Sequence, residues 1–258
     1  MVLFFIMKKV KDSNHDYHAH KSISASGLKS IYKKSVYHYL NQKPFTSKSM
    51  NFGNAVHDVI LEKKTKNIKV LPELNLKFKK DREERDIFMQ KNIGDIILNQ
   101  EEKKALDRVI KNFEEHDDAQ KLINDLDEVE NSYYGSIDGV DVRVRPDGVK
   151  YDSHIVDLKT TADGSPKAFR NQAYNFAYHL QACFYCEALG YDPRNFRYLT
   201  IENKYPYNIQ IYSMSDNMIE AGKYAWRSAF NLWKQYLKDG SMGGFIWDDV
   251  NDDGSLML

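Results

Sequence analysis

Arg145-Pro146-Asp147-Gly148, followed after a short interval by His154-Ile155-Val156-Asp157-Leu158-Lys159-Thr160-Thr161, decides the fold of this chain. The first segment places a carboxylate at the end of one strand. Tyr151-Asp152-Ser153 then turns the chain into a second strand that carries Asp-x-Lys. Side chains alternate faces along a strand, so Asp157 and Lys159 project together while Val156 and Leu158 point the other way into a core. Two carboxylates and an ammonium therefore converge. Mg²⁺ typically uses one or two carboxylates together with a substrate phosphate, which Asp147 and Asp157 suit. With Lys159 holding a water or a phosphate oxygen, the set serves metal-assisted hydrolysis of a phosphodiester.

Upstream, residues 130–134, 136–137 and 140–145 alternate or are rich in β-branched and aromatic side chains, with Gly135 and Asp138-Gly139 as turns, the signature of a hairpin. Val142 and Val144 alternate with Arg143 and Arg145, giving one apolar and one cationic face. Downstream, a helix is predicted from Lys167 or Ala173 to Leu189, closed by Gly190. Gln181 and Tyr185, four apart, stand side by side on it. Cys183 and Cys186 also lie within it and read either as buried helix cysteines or as a metal or redox pair. Residues 196–202 and 208–213 are alternating strands joined through Pro206, an edge hairpin, and an amphipathic helix follows from Ser215 to Leu237. The tail 247–258 is acidic and reads as loosely held.

Towards the N-terminus, Ser24 or Ser26 caps a helix running through Leu28, Ile31, Tyr32, Ser35 and Tyr39, with Pro44 just past its end. A second helix begins at Asn51. There Gly53 and His57 share a face, the glycine permitting close approach and the histidine able to ligate a metal, touch a phosphate or fill an interface. His15, His18 and His20 lack any accompanying ligand pattern and read as solvent-exposed. Between 81 and 130, apolar spacing through Ile87, Phe88, Ile93, Ile96 and Ile97, and again through Ala105, Leu106, Val109, Ile110 and Phe113, predicts two helices with a break near Gly94 or Asn99.

The formal net charge is zero, so there is no global argument for a polyanionic partner. Locally, residues 1–80 hold 16 lysines, no arginine and 5 acidic residues, whereas 81–130 hold 16 acidic against 8 basic. The lysines form either a solvated face or a surface that tracks phosphates; the acidic excess reads as a wet helix face. Two cysteines imply no disulfide framework. The apolar run 2–7 is too short to span a membrane and lacks the order of a signal peptide, so the expectation is a soluble, cytoplasmic protein.

Gly53-x-x-x-His57, Glu130, Arg145-Pro146-Asp147, Asp157-Leu158-Lys159-Thr160-Thr161 and Gln181-x-x-x-Tyr185, in that order, resemble the PD-(D/E)xK nuclease superfamily. More narrowly they are similar to the exonuclease VIII (RecE) branch and its phage-encoded relatives within the RecB-like group. The likeness runs from Ser26-x-Leu28-Lys29 to the final helix. It implies an α/β (α+β) restriction-endonuclease-like core, a mixed central sheet flanked by helices, with residues 1–258 forming a single domain: mainly helical to 128, sheet-bearing from 129.

What the resemblance implies for the site is a metal set of His57, Asp147, Asp157 and Leu158, and a catalytic set of Asp147, Asp157, Lys159 and Glu130. Gly53, Arg145, Thr160, Gln181 and Tyr185 would meet DNA. The cofactor would be Mg²⁺ or Mn²⁺. The substrate would be the ends of linear duplex DNA, degraded 5′ to 3′ by a ring-like homo-oligomer to leave 3′ overhangs for a single-strand annealing recombinase, in a bacterial or phage-infected cell; the alternatives are a structure- or sequence-specific endonuclease of the same superfamily and a non-catalytic DNA-binding protein. Branches with a four-cysteine iron–sulfur cluster are excluded by the two cysteines.

Overall fold

The computed structural model describes residues 7–43 and 48–246. In chain order its first half comprises β1 (Lys8–Val10), α1 (Asn14–Ala19), β2 (Ile23–Ser24), α2 (Ala25–Lys33), α3 (Val36–Leu40), α4 (Lys48–Ile60), β3 (Ile68–Val70), α5 (Lys79–Lys91), β4 (Ile96–Leu98), α6 (Gln100–Glu114) and α7 (Asp117–Asn124). The second half comprises β5 (Glu128–Val129), β6 (Ser132–Ile137), β7 (Val140–Val144), β8 (Gly148–Lys150), β9 (His154–Thr161), α8 (Pro166–Asn175), α9 (Tyr178–Leu189), β10 (Phe196–Glu202), β11 (Ile209–Tyr212) and α10 (Asp216–Asp239). The tail 247–258 and Pro44 lie outside the described residues.

The central sheet has the order β11-β10-β9-β8-β5 and is mixed, as expected: β9 runs parallel to β10 and antiparallel to β8. A second sheet, β1-β6-β7-β2, is built on the β6–β7 hairpin, which turns at Asp138-Gly139 as expected but passes through Gly135 without a turn. The central sheet is covered on both faces. Ile155, Phe196 and Tyr198 pack with α2, α8, α9 and α10, while Val156, Leu158, Leu199 and Ile201 pack with α4 and α6. β10 is accordingly an interior strand, and β11 alone forms that edge.

Several predicted elements differ in their limits. Ser24 caps α2, but that helix stops at Lys33 and Ser35 caps a new one, so Tyr39 belongs to α3. Each serine accepts a backbone N–H at a helix start, and the cap at Ser35 begins a new helix where apolar spacing alone suggested continuity. The 81–130 stretch holds three helices, and Ile96 and Ile97 lie in β4, paired in parallel with β3. A short β-branched run cannot be told from a helix segment by periodicity, and here pairing decides it. Asn99 marks the predicted break as the N-cap of α6, in a capping box with Glu102. The long helix predicted to end at Leu189 is interrupted at Ala177, whose φ of 51° is left-handed. No glycine or proline announces that break.

The cationic face expected from Arg143 and Arg145 does not form. Arg143 is buried, donates to the carbonyls of His20 and Ser22, and lies over the Tyr17 ring of α1. Cys183 and Cys186 are buried free thiols. His15, His18 and His20 are exposed, as expected. Among the described residues no helix is long and apolar enough to cross a membrane.

Candidate active site

β9 extends past its neighbour. The last pair between β8 and β9 joins Gly148 to Val156, so Leu158, two residues on, presents its N–H and C=O on the same edge with no strand to receive them. The site grows from these two groups. Asp147, immediately before β8, takes the N–H with Oδ2 at 2.6 Å. The C=O faces α4, where His57 Nε2 lies 3.0 Å away. Leu158 thus enters the site through its backbone while its side chain is core.

Glu130 completes the group. It sits in the link between β5 and β6 with a left-handed φ of 53°, and its N–H donates to the Asp147 carbonyl at 3.1 Å, which fixes the two acidic residues side by side. His57 bridges them, with Nε2 3.7 Å from Asp147 Oδ2 and Nδ1 3.7 Å from Glu130 Oε1. Ligand atoms of His57, Glu130 and Asp147 all lie within 4.8 Å of one another. α4 can bring His57 this close because Gly53, one turn earlier, faces β9: a Cβ there would stand 3.1 Å from Thr160 Oγ1.

On the opposite face of β9, Asp157 and Lys159 project together as their spacing predicts and form an ion pair. Asp157 is 1% exposed. Its Oδ1 accepts from Gln181 Nε2 at 2.8 Å, and its buried Oδ2 is the oxygen that faces the Lys159 ammonium. Tyr185 is buried one turn beyond Gln181. A cavity of about 240 Å³ opens between Ser26, Lys29, Glu130, Arg145, Gln181 and Tyr185.

Charges within this enclosure shift one another. Burial alone would lower the pKa of His57, but the Asp147 carboxylate and the contact with Glu130 outweigh it and push the imidazole up to about 9. Burial, reinforced by Asp157 and opposed by His57, pushes Asp147 up to about 7. Burial also opposes the charge of Lys159, yet Asp157 and Asp147 hold its pKa above the ordinary value, so it keeps its proton. Lys29 lacks such compensation: burial and the Lys159 ammonium bring it down to about 7 despite the two aspartates.

The donors fit a hard divalent cation. Carboxylate oxygens of Glu130 and Asp147, the Leu158 carbonyl and the His57 imidazole converge, a largely oxygen donor set of the kind such an ion takes. Most residues singled out in the sequence meet here: His57, Glu130, Asp147 and Leu158 on one side, Asp157, Lys159, Gln181 and Tyr185 on the other, with Gly53 and Thr160 at the helix–strand contact. Arg145 also lines the cavity, with its guanidinium held between Glu130 and Asp12 and its side chain 14% exposed.

Lys29, Asp12 and Tyr178 belong to the site through contacts that no local sequence pattern announces. Lys29 Nζ donates to Gln181 Oε1 and lies 5.3 Å over the Tyr178 ring, whose centroid is also 5.0 Å from Lys159 Nζ. The one local signal was the Ser26-x-Leu28-Lys29 stretch, where the resemblance begins.

Residues 24–241 match the family model described as a PDDEXK-like domain of unknown function (DUF3799). No curated protein matches the sequence. Among solved structures, a candidate exonuclease from Eubacterium rectale superposes with a TM-score of 0.59 at 13% identity, covering 91% of this chain and 90% of that one. A phage-related exonuclease from Haemophilus somnus aligns with a TM-score of 0.35 at 13% identity, over 88% of this chain and all of the other. At such identity the first of these likenesses bears on the fold.

Proposed function

The chain belongs to the PDDEXK-like family whose model it matches over most of its length, and from that premise we propose that it is a divalent-metal-dependent deoxyribonuclease built as one nuclease domain. The observation that carries this reading is the convergence of His57, Glu130, Asp147 and the Leu158 carbonyl at the end of β8, with Asp157 and Lys159 beside them.

Asp147, Asp157, the Leu158 carbonyl and His57 would hold Mg²⁺ or Mn²⁺, with Glu130 against His57. When bound, the ion polarises a phosphoryl oxygen and lowers the pKa of a water. The protein's own contribution is positional and electrostatic. Lys159 stays protonated, so it serves as a fixed positive charge and donor for the attacking water or for charge growing on the phosphoryl group, and not as a base. Gln181 and Lys159 hold Asp157 by its two oxygens, which fixes the carboxylate beside the place the ion would take. Asp147 is anchored by the Leu158 amide, so its second oxygen is aimed without rotamer freedom.

Within this chemistry we read an exonuclease that degrades linear duplex from its ends, 5′ to 3′, as a ring-like homo-oligomer, and leaves 3′ overhangs for an annealing recombinase. Support comes from the motif order and from the fold shared with the Eubacterium rectale protein. Linear duplex labelled at either the 5′ or the 3′ end, and covalently closed duplex, would be incubated with Mg²⁺, Mn²⁺ or EDTA. Early release of 5′ label from linear duplex alone is the expected result. Cutting of the closed circle would make the enzyme an endonuclease, and absence of metal-dependent cleavage would overturn the reading.

A further inference from the structure

Three side chains on one face of β9 are each met by a residue of α8 or α9. Asp157 meets Gln181. Lys159 meets the ring of Tyr178. Thr161 Oγ1 lies 2.7 Å from Gln172 Oε1, and Gln172 Nε2 is in turn 3.3 Å from the Tyr178 hydroxyl. The break at Ala177 therefore sits directly above the catalytic strand, and what it displays faces outward from there.

It displays Phe176, whose ring stacks on Tyr178 with centroids 5.8 Å apart and planes 24° apart. Lys33, one turn after Lys29 on α2, stands with Nζ 5.6 Å from the Phe176 centroid and donates to the Asn175 carbonyl at 2.5 Å. Lysines and aromatic rings thus adjoin one another from the catalytic strand to the surface: Lys159, Tyr178 with Lys29, Phe176, Lys33. The inner members are partly buried, whereas Phe176 is 54% exposed and Lys33 is on the surface. Packing explains Tyr178, which is half-buried and bonded on its hydroxyl. It does not explain a phenylalanine left open at a helix break with an ammonium beside it.

Exposed aromatic rings flanked by ammonium groups suit an unpaired nucleic-acid strand, whose bases stack on the rings while its phosphates follow the charges. In a duplex the base faces are already stacked on one another, so such a surface discriminates by strandedness and not by sequence. We propose that Phe176, Lys33 and Lys29 form a track for unpaired DNA that leads to Lys159, with a base packed on Phe176 and the adjoining phosphates held by the lysines. The identity of the strand as DNA rests on the nuclease reading. The track itself rests on the geometry of the α8–α9 junction.

The test uses the whole chain in EDTA, where cleavage is suppressed, and follows the anisotropy of a fluorescein-labelled oligothymidylate about 8 nucleotides long, within the site size of a single-strand binding module. Phe176→Ala should weaken binding by about 5- to 150-fold, the equivalent of one lost base–ring stack, and Phe176→Trp should restore it. Lys33→Glu, on a different helix, should weaken binding and flatten its salt dependence. Blunt duplex affinity should be unchanged in all three, and thermal melting verifies that each variant is folded.

The track is overturned if wild-type protein does not bind the oligonucleotide, if Phe176→Ala and Lys33→Glu bind it as wild type does, or if single-strand and duplex affinities fall together. Because binding is read without metal, loss of the nuclease reading in the cleavage assay is a separate outcome.

Discussion

Arg145 Nε donates to Glu130 Oε2 at 2.9 Å, and Nη1 of the same guanidinium reaches Asp12 Oδ1 at 3.3 Å. The arginine expected to meet DNA braces the site. It ties the segment after β1 to the carboxylate that faces His57, and with His57 it holds the Glu130 pKa below its ordinary value against the effect of burial. Groups that orient ligands in this way are worth about 10- to 100-fold in metal affinity. Arg145→Gln should lose that factor in Mn²⁺ titration calorimetry, and Asp12→Asn should show a smaller loss in the same direction. If Arg145→Gln retained metal affinity and lost duplex affinity, the guanidinium would be a DNA contact after all.

Lys159 and Asp157 separate by assay. Lys159 bears the charge that a developing phosphoryl anion needs, so Lys159→Ala should slow cleavage by about 100-fold or more while metal affinity stays close to wild type. Asp157→Ala removes the carboxylate that β9 itself carries and should depress both. Rates near wild type for either purified variant, measured on end-labelled linear duplex, would contradict the assignment.

How far each part was legible follows from the range of the interaction that creates it. Asp157 and Lys159 share a face because of a two-residue period, and Gly53 and His57 because of a helical turn, so both pairs could be read locally. The carbonyl role of Leu158 depends on where β8 stops, which is a property of the neighbouring strand. Lys29 reaches Gln181 across 152 positions and Asp12 reaches Arg145 across 133, contacts for which no local pattern exists. Arg143 and Arg145 looked like an exposed cationic stripe because the strand alone does not reveal that α1 covers it. The break at Ala177 was hidden by apolar positions at 169, 173, 177 and 180 that continue a helical spacing across it.

Protons and a metal ion compete for the same groups. In EDTA the fold binds protons at His57 and Asp147 more tightly than the unfolded chain does. His57 is raised from 6.5 to about 9, so its contribution to stability is complete below 6.5 and lost as pH rises through 9. Asp147 is raised from 3.8 to about 7, so its contribution is lost between those values. Glu130 is lowered, but its effect falls in the acid range, below its ordinary value of 4.5. These groups therefore make the chelated protein less stable from about pH 4 to about pH 9. Ligation needs both groups deprotonated, so the rise in melting temperature produced by excess Mg²⁺ should grow across that window. A larger metal-induced rise at about pH 5 than at about pH 9 would exclude these residues as the ligands.

The support beneath the site can be tested without touching it. α9, which carries Gln181, packs on α10 at Gly222, where an added Cβ would lie 2.5 Å from the His179 carbonyl oxygen and 2.6 Å from Cys183 Sγ. The sulfur could rotate, but the carbonyl belongs to the helix backbone, so the two helices must separate. Alanine would gain up to about 1 kcal/mol in helix propensity. Overpacking of a buried contact costs about 1–3 kcal/mol, and the cost should prevail because a backbone atom is the obstacle. Gly222→Ala should therefore lower the melting temperature by a few degrees, at about 2–4 °C per kcal/mol for a chain of this size. Displacement of α9 would also carry Gln181 away from Asp157, so cleavage should fall further than the melting temperature alone requires. An unchanged melting temperature would mean that α10 can shift without cost, and that Gln181 is held by Lys29 and Asp157 and not by the helix pair behind it.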